Sequence, residues 1–461
     1  MKKFDDEYFA LAASVPEVCR KAALRQRSYL VNESTARYHG RVVYTLFMPK
    51  LFSAGEICRM QEICRTSLAI FDKVIARYET DADFRAAFGF SKELEELILL
   101  DPGYGRVLPV ARLDIFFNED ENSPDYMDFH FCEINTDGSS AMNEDRELVY
   151  SLQEQPVFQA FSKTHRLKPF ELFDSLCTAF LELYGKTPFA AARPKPNVAI
   201  VDFNESATTQ EFLQFQAAFQ RRGLACEVCD IRELTFAGGV LRTKSGMPVD
   251  LVYRRAVTSD ILRHVDEVQP FLAAAKSRAV CLMGGFKTQI IHSKTLFEVL
   301  CNKTLTEKFL TPEEMAFIDR HVPKTYALRR DNALIDLDAV KRERRKWIVK
   351  PAESYGSRGV LSGVECETQA EWAEFIEKCL DLDEHYILQQ FIEPYRSRNL
   401  DFIDGAGFAD VKKFSNLTGM FCYAGQFAGL YSRGEANEII TTIYSEIALP
   451  SFAVEEKPGQ A

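Results

Sequence analysis

Long apolar runs are missing from this sequence. No stretch of about 18 apolar residues occurs, so no membrane-spanning helix is expected. Met1 to Cys19 holds no basic segment followed by an apolar core, so no signal peptide is expected and the reading is a cytoplasmic chain. An excess of positive charge is missing as well. The net charge is −11, which argues against nucleic acid or an anionic membrane as the main partner and leaves room for a local basic pocket for phosphate. Metal-type cysteine spacing is scarce. Of 12 cysteines only Cys226 and Cys229 form a CxxC, and no second pair completes a zinc site. Reduced, structural thiols are the expectation for a cytoplasmic protein. The GxxxxGK[ST] phosphate loop is absent, and no GxGxxG follows the first strand of the central α/β region, which argues against a dinucleotide. No Ser-His-Asp or Cys-His signature marks a protein nucleophile.

What is present is an ordinary globular composition. The chain has 461 residues, 46% hydrophobic and 27% charged, enough for two to three domains with large cores. Phe4 to Arg25 and Ala54 to Tyr78 carry apolar residues at helical spacing, the second opened by Ser53 with Glu56 three residues on. Val110 to Phe117 alternates as a strand, with Arg112 and Asp114 on one face. A polar loop, Asn118 to Asp128, leads to a second strand from Phe129, and the pair reads as a hairpin. Asn143 to Phe161 and Pro169 to Tyr184 read as helical. Thr187 to Pro196 is a Pro- and Ala-rich joint. Asn197 to Asp202, Thr209 to Arg222, and Ala225 to Val228 give strand, helix, strand, and Leu251 to Arg255 a further strand, as in an open α/β sheet. Ligands of such sheets sit at the strand carboxyl ends, where Glu205, Ser206 and Arg254 or Arg255 fall. Val411 to Phe414 is a short strand candidate, and the tail from Ser451 to Ala461 reads as loose.

Three stretches carry chemistry. In Glu133-Ile134-Asn135, alternation puts a carboxylate and an amide on one face at a strand end. Hard oxygen ligands of this kind suit Mg²⁺, and an ordinary Asx-type turn fits the same residues. The following Asp137-Gly138-Ser139-Ser140 offers hydroxyls and N–H groups to a substrate carboxylate or phosphate. Trp347 to Lys350 is a strand ending in a lysine, followed by the Ser- and Gly-rich loop from Ser354 to Gly359. Small residues let backbone N–H groups approach an anion, and the lysine adds a point charge. Lys294 opens a helical run, where a cation opposes the helix dipole unless an anion is near.

Taken together, Arg112-Leu113-Asp114, Glu133-Ile134-Asn135-Thr136, Tyr253-Arg254-Arg255, Lys294, Val349-Lys350-Pro351 and Ile392-Glu393-Pro394 resemble the ATP-grasp ligases. The order, with Glu-x-Asn first, resembles the circularly permuted members, such as eukaryotic-type glutathione synthetase and the glutathionylspermidine synthase-like ligases. The resemblance runs from about residue 107 to 435. It implies an α/β (α+β) chain: an ATP-grasp fold over residues 1–190 and 291–461, with an open α/β substrate domain inserted at 191–290. It implies that Lys294 and Lys350 bind ATP phosphates under a lid that includes Ser354, Gly356 and Ser357. Gln389, Gln390, Phe391, Ile392 and Glu393 would line the adenine. Glu133, Asn135 and Glu353 would hold Mg²⁺. Arg112, Asp114, Ser139, Ser140, Glu205 and Arg254 would hold the acyl substrate, with Arg433 a further substrate arginine; Arg112, Lys350 and Arg433 would act in catalysis.

The sequence departs from the family at two places. The triple-glycine lid is Ser-Tyr-Gly-Ser-Arg-Gly here, and Leu430-Tyr431-Ser432-Arg433-Gly434 stands where the family carries Leu-Leu-Arg-Thr-Lys. Both fall on substrate-facing parts, so the resemblance implies the ligase class and leaves glutathione itself open. The expected activity is ATP-dependent joining of a small acid or peptide to an amine through an acyl phosphate. The alternative is a non-catalytic nucleotide or small-molecule binder. A homodimer is compatible with either.

Overall fold

The structure is a computed structural model that describes residues 2–38, 40–353, 359–400, 411–437, 440 and 447–456. Its centre is an antiparallel sheet assembled from both ends of the chain. Val110–Phe117 pairs on one side with Phe129–Asn135, setting Arg112 opposite Asn135 and Asp114 opposite Glu133. On its other side lies Val411–Tyr423, then Gln426–Glu435 and Ile447–Leu449, while Arg396–Leu400 extends the start of the long strand. Helix Ala54–Thr80 covers one face. Ser53 and Glu56 close the expected capping box, and Met60, Ile63, Ile70 and Val74 pack on Leu113, Ile115 and Met420.

A smaller antiparallel sheet, in the order Thr325–Ala327, Tyr386–Gln390, Trp347–Pro351, Leu361–Ser362, carries Lys350. Helix Gln369–Asp381 seals its back with the buried Trp372, whose indole N–H donates to Val340 O at 3.0 Å. Residues 391–395 run from this sheet straight into the large one.

The third sheet is parallel: Cys281–Met283, Leu251–Arg254, Val198–Asp202, Cys226–Asp230. Its central strand, Val-Ala-Ile-Val-Asp, is buried throughout, as a strand covered on both faces must be. Its carboxyl ends open towards the Glu133 hairpin.

Several elements differ from the sequence reading. Pro16 splits the first helix into Lys3–Ser14 and Pro16–Asn32, and Pro156 splits another into Met142–Leu152 and Pro156–Thr164. His165–Pro169 is a strand, and the next helix starts only at Asp174. The tail is not loose over its first part. Ser451–Glu456 is a strand between Lys50–Phe52 and His165–Pro169, with Phe452 and Val454 buried. Among the described residues no helix is long and apolar enough to cross a membrane.

Candidate active site

Strand alternation and register bring four polar side chains together on the large sheet. Arg112 Nε and Nη2 donate to Asp114 Oδ1 and Oδ2 at 2.7 and 2.8 Å, a bidentate fork. The remaining Arg112 nitrogen donates to Ser140 O at 2.8 Å. Asn135 Nδ2 donates to Asp114 Oδ2 at 3.1 Å and to Glu133 Oε1 at 3.2 Å. The donor side of the amide is therefore spent on two carboxylates, and no described residue donates to its carbonyl oxygen. Gly419, on the neighbouring strand, makes room for this cluster. A Cβ there would stand 2.9 Å from Asp114 Oδ1 and 3.0 Å from Arg112 Cδ.

Glu133 has a strongly acidic carboxyl. Burial alone would raise its pKa, but Lys294, Arg112, the Asn135 hydrogen bond and Lys350 hold it down to about 2. Burial lowers the pKa of Lys294, with Glu133 opposing and the like charge of Lys350 adding to the fall. Lys350 Nζ donates to Gln389 Oε1 at 2.8 Å within its own sheet and to Cys132 O at 3.3 Å on the large sheet. That second bond crosses between the two sheets. Glu353 accepts from Gln289.

The Asp137–Ser140 turn is fixed from both sides. Gly138 has φ +66°, and a Cβ there would meet Val257 Cγ1 at 2.7 Å, so the turn needs glycine twice over. Ser139 Oγ donates to Asn135 O at 2.7 Å. Asp137 pairs with the buried Arg254 at 2.7 Å.

A cavity of about 440 Å³ opens above these groups. Arg112, Glu133, Asn135, Tyr431 and Arg433 form the wall on the large sheet, Lys294 joins it from a helix start, and Ser139 and Ser140 line the turn. Asp202, Glu205, Ser206, Arg255 and Asp260 form the opposing wall at the carboxyl end of the parallel sheet. Burial, opposed by Arg255, pushes the Asp202 carboxyl up to about 7.

Of the sequence candidates, Arg112, Glu133, Asn135, Ser139, Ser140, Glu205, Lys294 and Arg433 line this cavity. Asp114 lies behind the wall, held by Arg112. Lys350, Gln389 and Gln390 sit on the facing sheet; Phe391, Ile392 and Glu393 follow at the joint between sheets, all outside the lining. Glu353 stays outside it too. Ser354, Gly356 and Ser357 lie outside the described residues. Arg254 does not face the cavity. It is enclosed by Asp137, Ala256 O at 2.6 Å and the Phe286 ring at 4.9 Å. Its neighbour Arg255 lines the cavity instead, paired with Glu211 at 2.9 Å. Sequence reasoning missed Asp202, Asp260 and Tyr431. Asp202 had a usable signal, as the polar last residue of a buried parallel strand.

Among known proteins, no family model and no curated sequence matches this chain. Solved structures do. A glutathione synthetase-like effector from Globodera pallida, in apo form, superposes with a TM-score of 0.56, 11% identity, and coverage of 96% of this chain and 97% of that one. This chain has the ATP-grasp fold. At 11% identity the likeness is one of fold. A Methylobacillus flagellatus protein provisionally named a gamma-glutamylcysteine synthetase aligns over 87% of this chain and 89% of its own, at 10% identity and a TM-score of 0.42. D-cycloserine synthetase aligns over 56% and 74%, at 18% identity and a TM-score of 0.27. In the ATP-grasp fold observed here, the cavity lies where the large sheet, the Lys294 helix start and the parallel sheet meet.

Proposed function

We propose that this chain is an ATP- and Mg²⁺-dependent ligase that joins a small carboxylic acid to an amine. One observation carries the reading. Glu133, kept ionised by Lys294 and Arg112, stands with Asn135 and Lys294 on one wall of the cavity. Arg433, half-buried, supplies further positive charge to the same wall.

The donor set fits Mg²⁺. That ion is held by one or two carboxylates together with substrate phosphates and waters, not by an all-protein cage. Glu133 offers an ionised carboxylate and Asn135 a carbonyl oxygen. Bound there, Mg²⁺ would neutralise phosphate charge and orient the γ-phosphoryl group.

The remaining roles belong to the chain. Lys294 and Lys350 bind phosphate oxygens and offset the charge that spreads over them during transfer. Gln389 to Ile392 receive the adenine. Arg112, positioned by Asp114 and Ser140 O, and Arg433 hold the acid so that its carboxylate attacks the γ-phosphorus. The product is an acyl phosphate and ADP. The amine attacks the acyl carbon, and phosphate leaves the tetrahedral intermediate as the amide forms. Residues 191–290 supply the acidic wall that completes the substrate site.

A non-catalytic binder on the same scaffold is the second reading. Its support is the engagement of Lys350 by Gln389 and Cys132 O, which spends donors that a phosphate would take. ADP release from Mg-ATP, measured across pools of amino acids, γ-glutamyl peptides and polyamines, separates the two. ADP formed only when acid and amine are both present supports the ligase. Calorimetric ATP binding with no ADP from any pool supports the binder, and no ATP binding overturns the ligase and the phosphate role of Lys350.

A further inference from the structure

Helix Ala54–Thr80 and strand Val411–Tyr423 meet through sulfur. Alternation along the strand puts Met420 and Cys422 in the core beneath the helix, while Phe421 enters the core on the other face. The ladder to the next strand shifts register between Phe421 and Cys422, an irregularity of the kind that re-aims side chains. From the helix, Cys64 belongs to the buried stripe with Met60 and Ile63. Its Sγ stands 3.1 Å from Cys422 Sγ and 4.0 Å from Met420 Sδ. Both cysteines are 1% exposed, and no other two thiols are in such contact among the described residues. A disulfide bond is about 2.05 Å long, so closing this one asks for a shift of roughly 1 Å.

We propose that Cys64 and Cys422 are a modification site, joined as a disulfide when the chain folds in the presence of a small-molecule disulfide such as oxidised glutathione. One cysteine thiolate attacks a glutathione sulfur and releases one glutathione thiolate. The second cysteine attacks the resulting mixed disulfide and releases the other. Two protein thiols are oxidised, one glutathione disulfide is reduced to two thiols, and the two protons pass to solvent or to the leaving thiolates.

The route runs through folding, because the finished fold blocks it. The contact with Cys64, together with burial, pushes the Cys422 thiol well above its ordinary range. A buried protonated thiol is a poor nucleophile, and neither sulfur is open to an oxidant. The same burial then protects the bond from reductants. The link would join residues 358 apart, pinning the helix to the strand that neighbours Arg112. This sets one pair apart from the expectation that all 12 thiols are reduced and structural.

The test is to refold the whole chain from guanidinium in a mixture of oxidised and reduced glutathione and, separately, in reductant alone. Free thiols are then alkylated, and the digest is mapped without reduction. We expect the Cys64 and Cys422 peptides to be linked as the main disulfide, only in the first sample. The melting temperature should rise by about 5 °C or more over the reduced sample. Native reduced protein placed in the oxidising mixture should stay reduced for hours. Cys64→Ala and Cys422→Ala should each lose the link and the temperature gain, and Cys226→Ala should keep both. The mapping is read on the wild-type chain, so it does not depend on any variant folding. Alkylated Cys64 and Cys422 after oxidative refolding, or a different main pair, would overturn the proposal.

Discussion

Glu133 answers to three cations and one amide, and that is why it stays ionised in a site that would otherwise protonate it. Its counter-charge role and its proposed metal role are the same property seen from two sides. Glu133→Ala should therefore lower Mg²⁺-dependent ADP formation by at least about 100-fold, the scale of losing one well-placed electrostatic group. Circular dichroism should stay close to wild type; undiminished turnover would sink the assignment. Asp202 shows the opposite sign. Its carboxyl is near 3.8 in an unfolded chain and about 7 in the fold, so the folded chain binds that proton more tightly. Its ionisation makes stability fall as pH rises from about 4 to about 7, with no further change above. Asp202→Asn should remove that slope and stabilise the chain at pH 8 more than at pH 5, by a few kcal/mol at most. Urea midpoints at the two pH values check it, and an equal shift at both would contradict the burial argument. At this scale Glu133, Asn135 and Lys294 were legible, because strand alternation and a helix start fix where such side chains go. Arg254 and Arg255 were not. They stand where the strand ends, alternation lapses, and only the Asp137 and Glu211 partners decide which arginine is enclosed and which lines the cavity.

Elements were readable where their partners lie close in sequence. The Arg112 hairpin closes through a loop of eleven residues, 118 to 128, and the capping box of helix Ala54–Thr80 lies within four residues. Ser53→Ala removes the acceptor for Glu56 N–H and should cost about 1 kcal/mol, seen as a lower urea midpoint, without altering ATP binding. Where pairing spans the chain, the local pattern carries no sign of it. Ser451–Glu456 puts only Phe452 and Val454 into the hydrophobic core, too short an alternation to stand out, and its two partner strands lie hundreds of residues upstream. The long strand Val411–Tyr423 likewise extends past the short segment its first residues suggest, because Gly419 looks like a break until its neighbour is known. That glycine allows the strand to approach the Arg112–Asp114 fork. Gly419→Ala should force the fork apart, since Asp114 Oδ1 would lie 2.9 Å from the new carbon. The expected outcome is a rise in KM for the acid of about tenfold or more, about 1.4 kcal/mol of lost binding, with ATP affinity unchanged. A rise in the ATP dissociation constant instead would show that the fork serves the nucleotide.

Across the whole molecule, one long side chain of the smaller antiparallel sheet reaches the large one. Lys350 reaches from its own sheet to Cys132 O at 3.3 Å, and residues 391–395 tie the sheets at one side. A nucleotide entering between them would displace this bond, take the ammonium onto its phosphates, and link both sheets to one ligand. Binding that bridges two bodies must stabilise the folded chain against the unfolded one. At a ligand concentration about 100 times the dissociation constant the gain is about 2.7 kcal/mol. A non-hydrolysable ATP analogue with Mg²⁺ should therefore raise the melting temperature by several degrees. Lys350→Met keeps the length of the side chain and removes its charge, so the apo protein should melt close to wild type while most of the analogue's shift is lost. Lys294→Met should also lose most of the analogue's shift, but from a lower apo melting temperature, because it removes the main counter-charge of the buried Glu133. If the analogue shifts wild type and Lys350→Met equally, the nucleotide does not bind between the sheets, and the engagement of Lys350 by Gln389 and Cys132 O is then a structural tie.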